Sequence, residues 1–193
     1  PFGGLQRDML RIARACVDRG ARVKIFCAEW EGEWPEDIAV ERLTVSGFTN
    51  HSRNRSFAQA LQKKLITEQK DLVVGFNKMP HLDVYYAADT CFKAKLMQER
   101  IPQLRFLPRY RQYLRDEKSV FGKDSHTKIL AIAQRSVDEY EKYYAGAAQR
   151  CTVLPPGINP DRRAGVNALQ QREDFRREWR LSEKDHLLLS IGS

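Results

Sequence analysis

Phe2-Gly3-Gly4-Leu5-Gln6-Arg7-Asp8-Met9-Leu10-Arg11-Ile12-Ala13-Arg14-Ala15-Cys16-Val17-Asp18-Arg19-Gly20 precedes, two residues on, Val23-Lys24-Ile25-Phe26-Cys27-Ala28. Read as a glycine turn, a helix and a buried strand, this stretch decides the fold class. Met9, Ile12, Ala13, Cys16 and Val17 follow the i, i+3, i+4, i+7, i+8 spacing of one buried helical stripe. Arg7, Arg11, Arg14 and Asp18 lie off it, and Gly20 is placed to end the helix. Backbone amides at a helix start are unpaired and point outward. With the helix dipole they make an anion site, and at Gly3 and Gly4 no side chain keeps a phosphate from the main chain. The pair lacks the Lys-Ser/Thr of a P-loop and the third glycine of the dinucleotide fingerprint. A tight loop and a diphosphate contact therefore both stay open on this feature alone.

Outward from the glycine turn, apolar strands alternate with amphipathic helices. A loop holding Trp30 and Trp34 leads to a strand over 40–45, and a helix is expected over 55–69 with Phe57, Leu61, Leu65 and Ile66 on one face. Leu72-Val73-Val74-Gly75-Phe76 reads as a continuous buried strand and residues 84–88 as another. Residues 128–133 lead into a helix over 134–144, and Cys151-Thr152-Val153-Leu154 ends at Pro155-Pro156-Gly157. The repeated β-then-α order predicts an α/β fold, a Rossmann-like, mostly parallel sheet flanked by helices on both faces. In such sheets ligands collect at the strand C-termini. Asn77-Lys78-Met79-Pro80 follows one strand and Asp89-Thr90 another, so both are expected beside the Gly3-Gly4 turn, as site residues or as ordinary loop and cap residues. No Ser-His-Asp order or metal-ligand spacing occurs, and His51, His81, His126 and His186 are isolated in sequence.

The chain has 193 residues and a formal net charge of +8, an excess that favours anionic partners. It opens on a proline, its glycine turn has no strand before it, and residues 186–191 look like a strand reaching a second glycine turn. It is therefore read as an incomplete protein. Cys16, Cys27, Cys91 and Cys151 form no Cys-x-x-Cys pair, which favours free thiols in a reducing cytoplasm, with Cys16 and Cys27 on buried faces. No apolar run is long enough to cross a bilayer.

Between Phe92 and Phe121 the composition turns basic and aromatic. Phe106, Leu107, Tyr110, Tyr113 and Leu114 share one helical face, flanked by Arg105, Arg109 and Arg115, with Arg111 close by. This suits an interfacial helix on an anionic membrane surface. It equally suits a helix packing its aromatics on its own core, and nucleic acid ranks third. Pro102 and Pro108 divide the segment into short pieces.

Four strings together resemble the lipopolysaccharide core glucosyltransferase I family of retaining family 4 glycosyltransferases. They are Phe2-Gly3-Gly4-Leu5-Gln6-Arg7-Asp8, Val74-Gly75-Phe76-Asn77-Lys78-Met79-Pro80, Leu82-Asp83-Val84-Tyr85-Tyr86-Ala87-Ala88-Asp89 and Leu154-Pro155-Pro156-Gly157-Ile158. The resemblance implies the N-terminal half of a GT-B fold. Residues 1–155 would form the acceptor-side domain without its first strand, and residues 156–193 the crossover and start of the donor domain. It implies transfer of glucose from UDP-glucose to an inner-core heptose of lipopolysaccharide, by a peripheral enzyme on the cytoplasmic face of the inner membrane. Neither a metal ion nor another cofactor is expected. By position, Gly3 and Gly4 match the donor-diphosphate turn, Asp8 and Asp89 match acidic residues at the reaction centre, and Asn77 and Lys78 lie by the acceptor. The segment with Arg105, Phe106, Arg109, Tyr110, Arg111, Tyr113 and Arg115 matches the membrane-facing part. His81 stands where the family has glycine, a change expected to alter that loop. Without the donor half, this chain alone is expected to be inactive. The alternative is a basic non-catalytic module for anionic lipid or nucleic acid.

Overall fold

The computed structural model describes residues 3–98, 106–157 and 164–188. The chain divides into two compact units, Pro1–Pro156 and Gly157–Ser193. In the first, every described strand pairing is parallel. β1 (Lys24–Cys27) pairs with β2 (Ala39–Arg42), with Ile25 opposite Val40. β3 (Val74–Gly75), β4 (Val84–Ala87), β5 (Lys128–Ala131) and β6 (Cys151–Val153) form a second sheet in that order. The helices are α1 (Gly4–Val17), α2 (Asn50–Thr67), α3 (Phe92–Gln98), α4 (Pro108–Phe121) and α5 (Gln134–Tyr143).

The alternation of strands and helices is as expected, but several boundaries and faces are not. α2 starts at residue 50 rather than 55 because Thr49 Oγ1 accepts the Ser52 amide and Ser52 Oγ accepts the Thr49 amide. Such a cap contributes about 1 kcal/mol. With Ser rather than Glu or Gln at its third position, the box carries a weak sequence signal. Phe57, Leu61 and Leu65 of α2 join the core as expected, whereas Ile66 is exposed. On α1, Ala13 is buried with Met9, Leu10 and Val17 against Ile25 and Ile38, and Cys16 is exposed. Leu10 and Cys16 lie about 120° apart round the helix, so the buried stripe is turned toward Leu10 and away from Cys16. All four cysteines are free, and Cys27 is only half-buried.

The continuous strand expected over 72–76 is reduced to Val74–Gly75, and Leu72 and Val74 are exposed. Asp83 is the reason. Its Oδ2 accepts the Val73 amide at 2.7 Å, while Val73 O accepts the Asp83 and Val84 amides, so a side chain supplies what a ladder neighbour would. Gly75 makes room for Leu82: a Cβ there would lie 2.3 Å from Leu82 Cδ1, so the leucine side chain would have to shift.

The main core lies between the four-stranded sheet and helices α2 to α5. Phe121 of α4 stacks on Tyr140 of α5 at 4.3 Å between ring centroids and meets Tyr85 of β4 edge-on at 5.8 Å. Arg150, in the 3-10 turn before β6, donates to the carbonyls of Val120, Phe121, Gly122 and Thr127 and so satisfies the end of α4.

In the second unit, α6 (Ala168–Glu178) is a helix not predicted from the sequence, with Phe175 stacked on Trp179. His186, Leu187 and Leu188 are not in a strand, and the rest of the strand expected over 186–191 lies outside the described residues. A strand exists only as one side of a ladder, and this unit's described residues contain no second strand.

Candidate active site

Parallel strands deliver their exit loops to one edge of a sheet, and β3 and β4 carry the residues singled out above. Successive side chains of a strand point to opposite faces. On β4 this sends Tyr85 and Tyr86 in opposite directions, and each meets an aspartate. Tyr86 donates its hydroxyl to Asp8 Oδ2 of α1 at 2.9 Å. Tyr85 donates to Asp89 Oδ1 in the loop after the same strand, and Tyr140 donates to the Asp89 carbonyl at 3.1 Å. Arg11 fixes the other Asp8 oxygen at 2.5 Å. Burial pushes the Tyr86 phenol up to about 12, with the Asp8 carboxylate adding to the shift. The Tyr85 phenol is pushed further up, first by burial and then by Asp89. Both tyrosines thus stay neutral donors at ordinary pH.

Lys78 leaves β3 toward the interior. Its side chain is only 9% exposed, and its Nζ donates to Thr90 O at 2.8 Å and Glu117 Oε2 at 2.8 Å and lies 3.0 Å from Asp89 Oδ2. Burial pulls its pKa down, and the two carboxylates more than restore it, leaving the ammonium above its usual value. Asp89 is 61% exposed, so its carboxylate faces outward from this anchorage. Asn77 is exposed.

Gly3 and Gly4 open α1. Gly3 is an extended N-cap without a side-chain hydrogen bond, and the first turn carries no acidic residue. A Cβ on Gly4 would have no neighbour within 4 Å. The chain's own packing therefore does not demand glycine at position 4.

The sequence profile of glycosyltransferase family 4 matches residues 2–162. The chain belongs to that family. It is 39% identical over its whole length to the lipopolysaccharide glucosyltransferase WaaG of Escherichia coli strain K12, covering 52% of that protein. It is 24% identical over 175 residues to a probable transglycosylase of Burkholderia thailandensis, covering 88% of this chain and 46% of that one. The crystal structure of WaaG, a glycosyltransferase involved in lipopolysaccharide biosynthesis, superposes on the whole chain with a TM-score of 0.85 and is covered to 52%. The chain spans about half the length of the curated relatives it matches. The expected α/β fold is the fold found, and it matches the N-terminal half of the GT-B structure of WaaG.

Within this family 4 chain, His81 adopts φ 65°, the left-handed region that favours glycine. The backbone keeps a glycine-type conformation although the residue is histidine. In the basic aromatic segment, Tyr110 and Tyr113 pack against Phe92 of α3 at 5.6 and 5.2 Å between centroids. Phe106 and Leu107, just before α4, are 66% and 48% exposed beside exposed Arg109 and Arg111, and Arg115 is exposed one turn further on. Arg105 lies outside the described residues. Among the described residues no helix is long and apolar enough to cross a membrane. No group of three His, Cys, Asp or Glu side chains among them is placed to hold a metal ion.

Sequence reading did not find Tyr85, Tyr86, Tyr140 or Glu117. The adjacent tyrosines near the end of a buried strand were a usable signal, since a buried phenol needs a polar partner. Glu117 carried none, being one acidic residue in a basic helix.

Proposed function

We propose that this chain is the acceptor-side half of a retaining glucosyltransferase that moves glucose from UDP-glucose to an inner-core heptose of lipopolysaccharide. The observation that carries this is the pairing of Asp8 and Asp89 with the two neighbouring tyrosines of β4, beside the open start of α1. A carboxylate of α1 and one in the loop after β4, 81 positions apart, are thereby both tied to the same strand. A helix start without a side-chain cap suits the departing diphosphate, because outward amides and the helix dipole favour negative charge. In the reaction the bond from glucose C1 to the diphosphate oxygen breaks, and a bond from C1 to the heptose oxygen forms on the same face. The hydroxyl proton passes to a basic oxygen of the site. Asp8 and Asp89 are assigned to the reacting sugar and the acceptor hydroxyl, Gly3 and Gly4 to the diphosphate, and Asn77 to the acceptor. No metal ion is assigned a role.

We also assign the exposed Phe106-Leu107 tip, with Arg109, Arg111 and Arg115, to the anionic surface of the inner membrane on its cytoplasmic side. Tyr110 and Tyr113 support that tip by packing on Phe92. The rival reading, a non-catalytic basic module, rests on the same tip alone and makes no use of Asp8, Asp89 or the glycines.

Glucose transfer from UDP-glucose to core-truncated lipopolysaccharide, measured with the full-length polypeptide that carries this chain and with its Asp89→Ala form, tests the proposal. Transfer that is lost in the variant is the expected result. No transfer by the folded parent protein would leave the binding module as the better account. The isolated chain is expected to turn over negligibly.

A further inference from the structure

Glu117 is fully buried, which is costly for a carboxylate unless its oxygens are met by donors. They are met from three elements. Phe92 N and Lys93 N at the start of α3 donate at 2.5 and 2.8 Å, Tyr144 OH donates at 2.8 Å, and Cys91 Sγ lies at 3.5 Å. Lys78 Nζ donates to Oε2 at 2.8 Å. An ammonium has three N–H donors. Those of Lys78 have three acceptors: Glu117 Oε2, Thr90 O and Asp89 Oδ2. It therefore has no donor left for a ligand while this arrangement holds, and it cannot serve as an open cation for a phosphate on the acceptor.

Asp89 sits at the other end of the same chain of contacts. One oxygen is held by Tyr85 and the other by Lys78, its carbonyl is held by Tyr140, and the carboxylate still reaches solvent. A carboxylate fixed on two sides and open on a third is set to present its remaining lone pairs in one direction. Holding a reacting group this way acts on the transition state, because misplacement of about 1 Å can cost on the order of 100-fold in rate.

We propose that Lys78 is a positioning residue for Asp89, locked in its own place by the buried carboxylate of Glu117. This rests on the assignment of Asp89 to the reaction centre, and Lys78 serves that centre from beneath rather than by touching the acceptor.

The test uses the full-length polypeptide and four variants: Lys78→Met with Glu117→Gln, Lys78→Gln, Asp89→Asn, and Asp89→Asn combined with Lys78→Gln. The first removes both charges together, so no unpaired buried charge remains to unfold the protein. Expected is a fall in kcat on the order of 100-fold with the acceptor KM within about threefold and the melting temperature little changed. Lys78→Gln keeps two N–H donors, and Phe92 N, Lys93 N and Tyr144 OH still meet the Glu117 carboxylate, so it is expected to fold, to lose less, and to carry the test if the first variant does not fold. In the Asp89→Asn background Lys78→Gln is expected to add almost nothing, because residues acting as one unit are not additive. A raised acceptor KM with unchanged kcat would make Lys78 an acceptor cation and overturn the inference. So would a kcat within threefold of the parent in Lys78→Gln, or full additivity with Asp89→Asn. Asp89→Asn with parental kcat would instead remove Asp89 from the reaction centre, and both readings would fall.

Discussion

Tyr86 of β4 donates its hydroxyl to Asp8 of α1 at 2.9 Å, joining residues 78 positions apart. The bond ties the first helix to the four-stranded sheet, although α1 packs its apolar face on Ile25 and Ile38 of the other sheet's region. Asp8 is thereby held between elements, with Arg11 on its second oxygen.

Tyr86→Phe removes this bond while keeping the ring that meets Phe76. It should lower stability by about 1 kcal/mol at neutral pH, the usual worth of one hydrogen bond. The Tyr86 pKa is raised by folding, to about 12. Its contribution is therefore complete below the unfolded value near 10 and lost as pH rises through about 12. Melting temperatures across pH 9 to 12 should fall more steeply for the parent than for Tyr86→Phe, and parallel curves would refute the coupling.

His81→Gly should stabilise the chain. His81 holds φ 65°, and a non-glycine residue there costs about 1 kcal/mol or more, partly offset by the added freedom of glycine in the unfolded chain. A gain of about 0.5 kcal/mol in urea denaturation is expected. A loss would show that the imidazole itself makes a contact worth more than the strain.

Arg150→Met should be among the most damaging changes outside the aromatic core. It abandons the carbonyls of Val120, Phe121, Gly122 and Thr127, and losing partners for such groups costs about 1 to 3 kcal/mol each where they stay dry. A loss of about 3 kcal/mol in chemical denaturation is expected, with α4 amides exchanging fastest. A loss below 1 kcal/mol would mean that water replaces the guanidinium.

Glu68 is held low, at about 2, first by its hydrogen bond from Lys24 and then by that from Lys70. A folded pKa below the unfolded value means that its contribution is present above about 4.5 and lost as pH falls toward 2. Carboxyl NMR titration should find Glu68 higher in Lys24→Met, which leaves Lys70 in place 2.9 Å away. An unmoved titration would show that Lys24 and Glu68 do not pair in solution.

Vesicle binding should separate the two halves of the basic segment. Leu107→Asp and Arg109→Glu with Arg111→Glu should weaken binding to anionic vesicles, about fivefold per cation removed at moderate salt. Tyr113→Ala, which takes a ring off Phe92, should instead lower the melting temperature. Equal loss of vesicle binding by Tyr113→Ala in a folded protein would move the contact surface onto the helix face.

Much of the fold was legible because strand and helix periods are local. The alternation that begins at Gly3 predicts parallel pairing, and β1, β4, β5 and β6 lie where apolar runs were read. The misreadings share a cause in partners remote in sequence. Asp83, not a strand, takes the Val73 amide, so the run over 72–76 is short and partly exposed. Leu10 rather than Cys16 joins the buried side of α1 because the sheet beneath sets the angle of burial.

By itself the sequence determined the α/β class, the glycine turn at the start of α1, and the strand exits that carry Asn77, Lys78 and Asp89, since each is written within a few neighbouring residues. Only the tertiary structure decided what those side chains face. It turned Lys78 inward onto Glu117, 39 positions away, and left Asp89 outward. It also gave the adjacent tyrosines of β4 to aspartates on opposite faces of one sheet. A charge buries only where hydrogen-bond donors or an opposite charge meet it, and the meeting place is made by packing rather than by spacing along the chain.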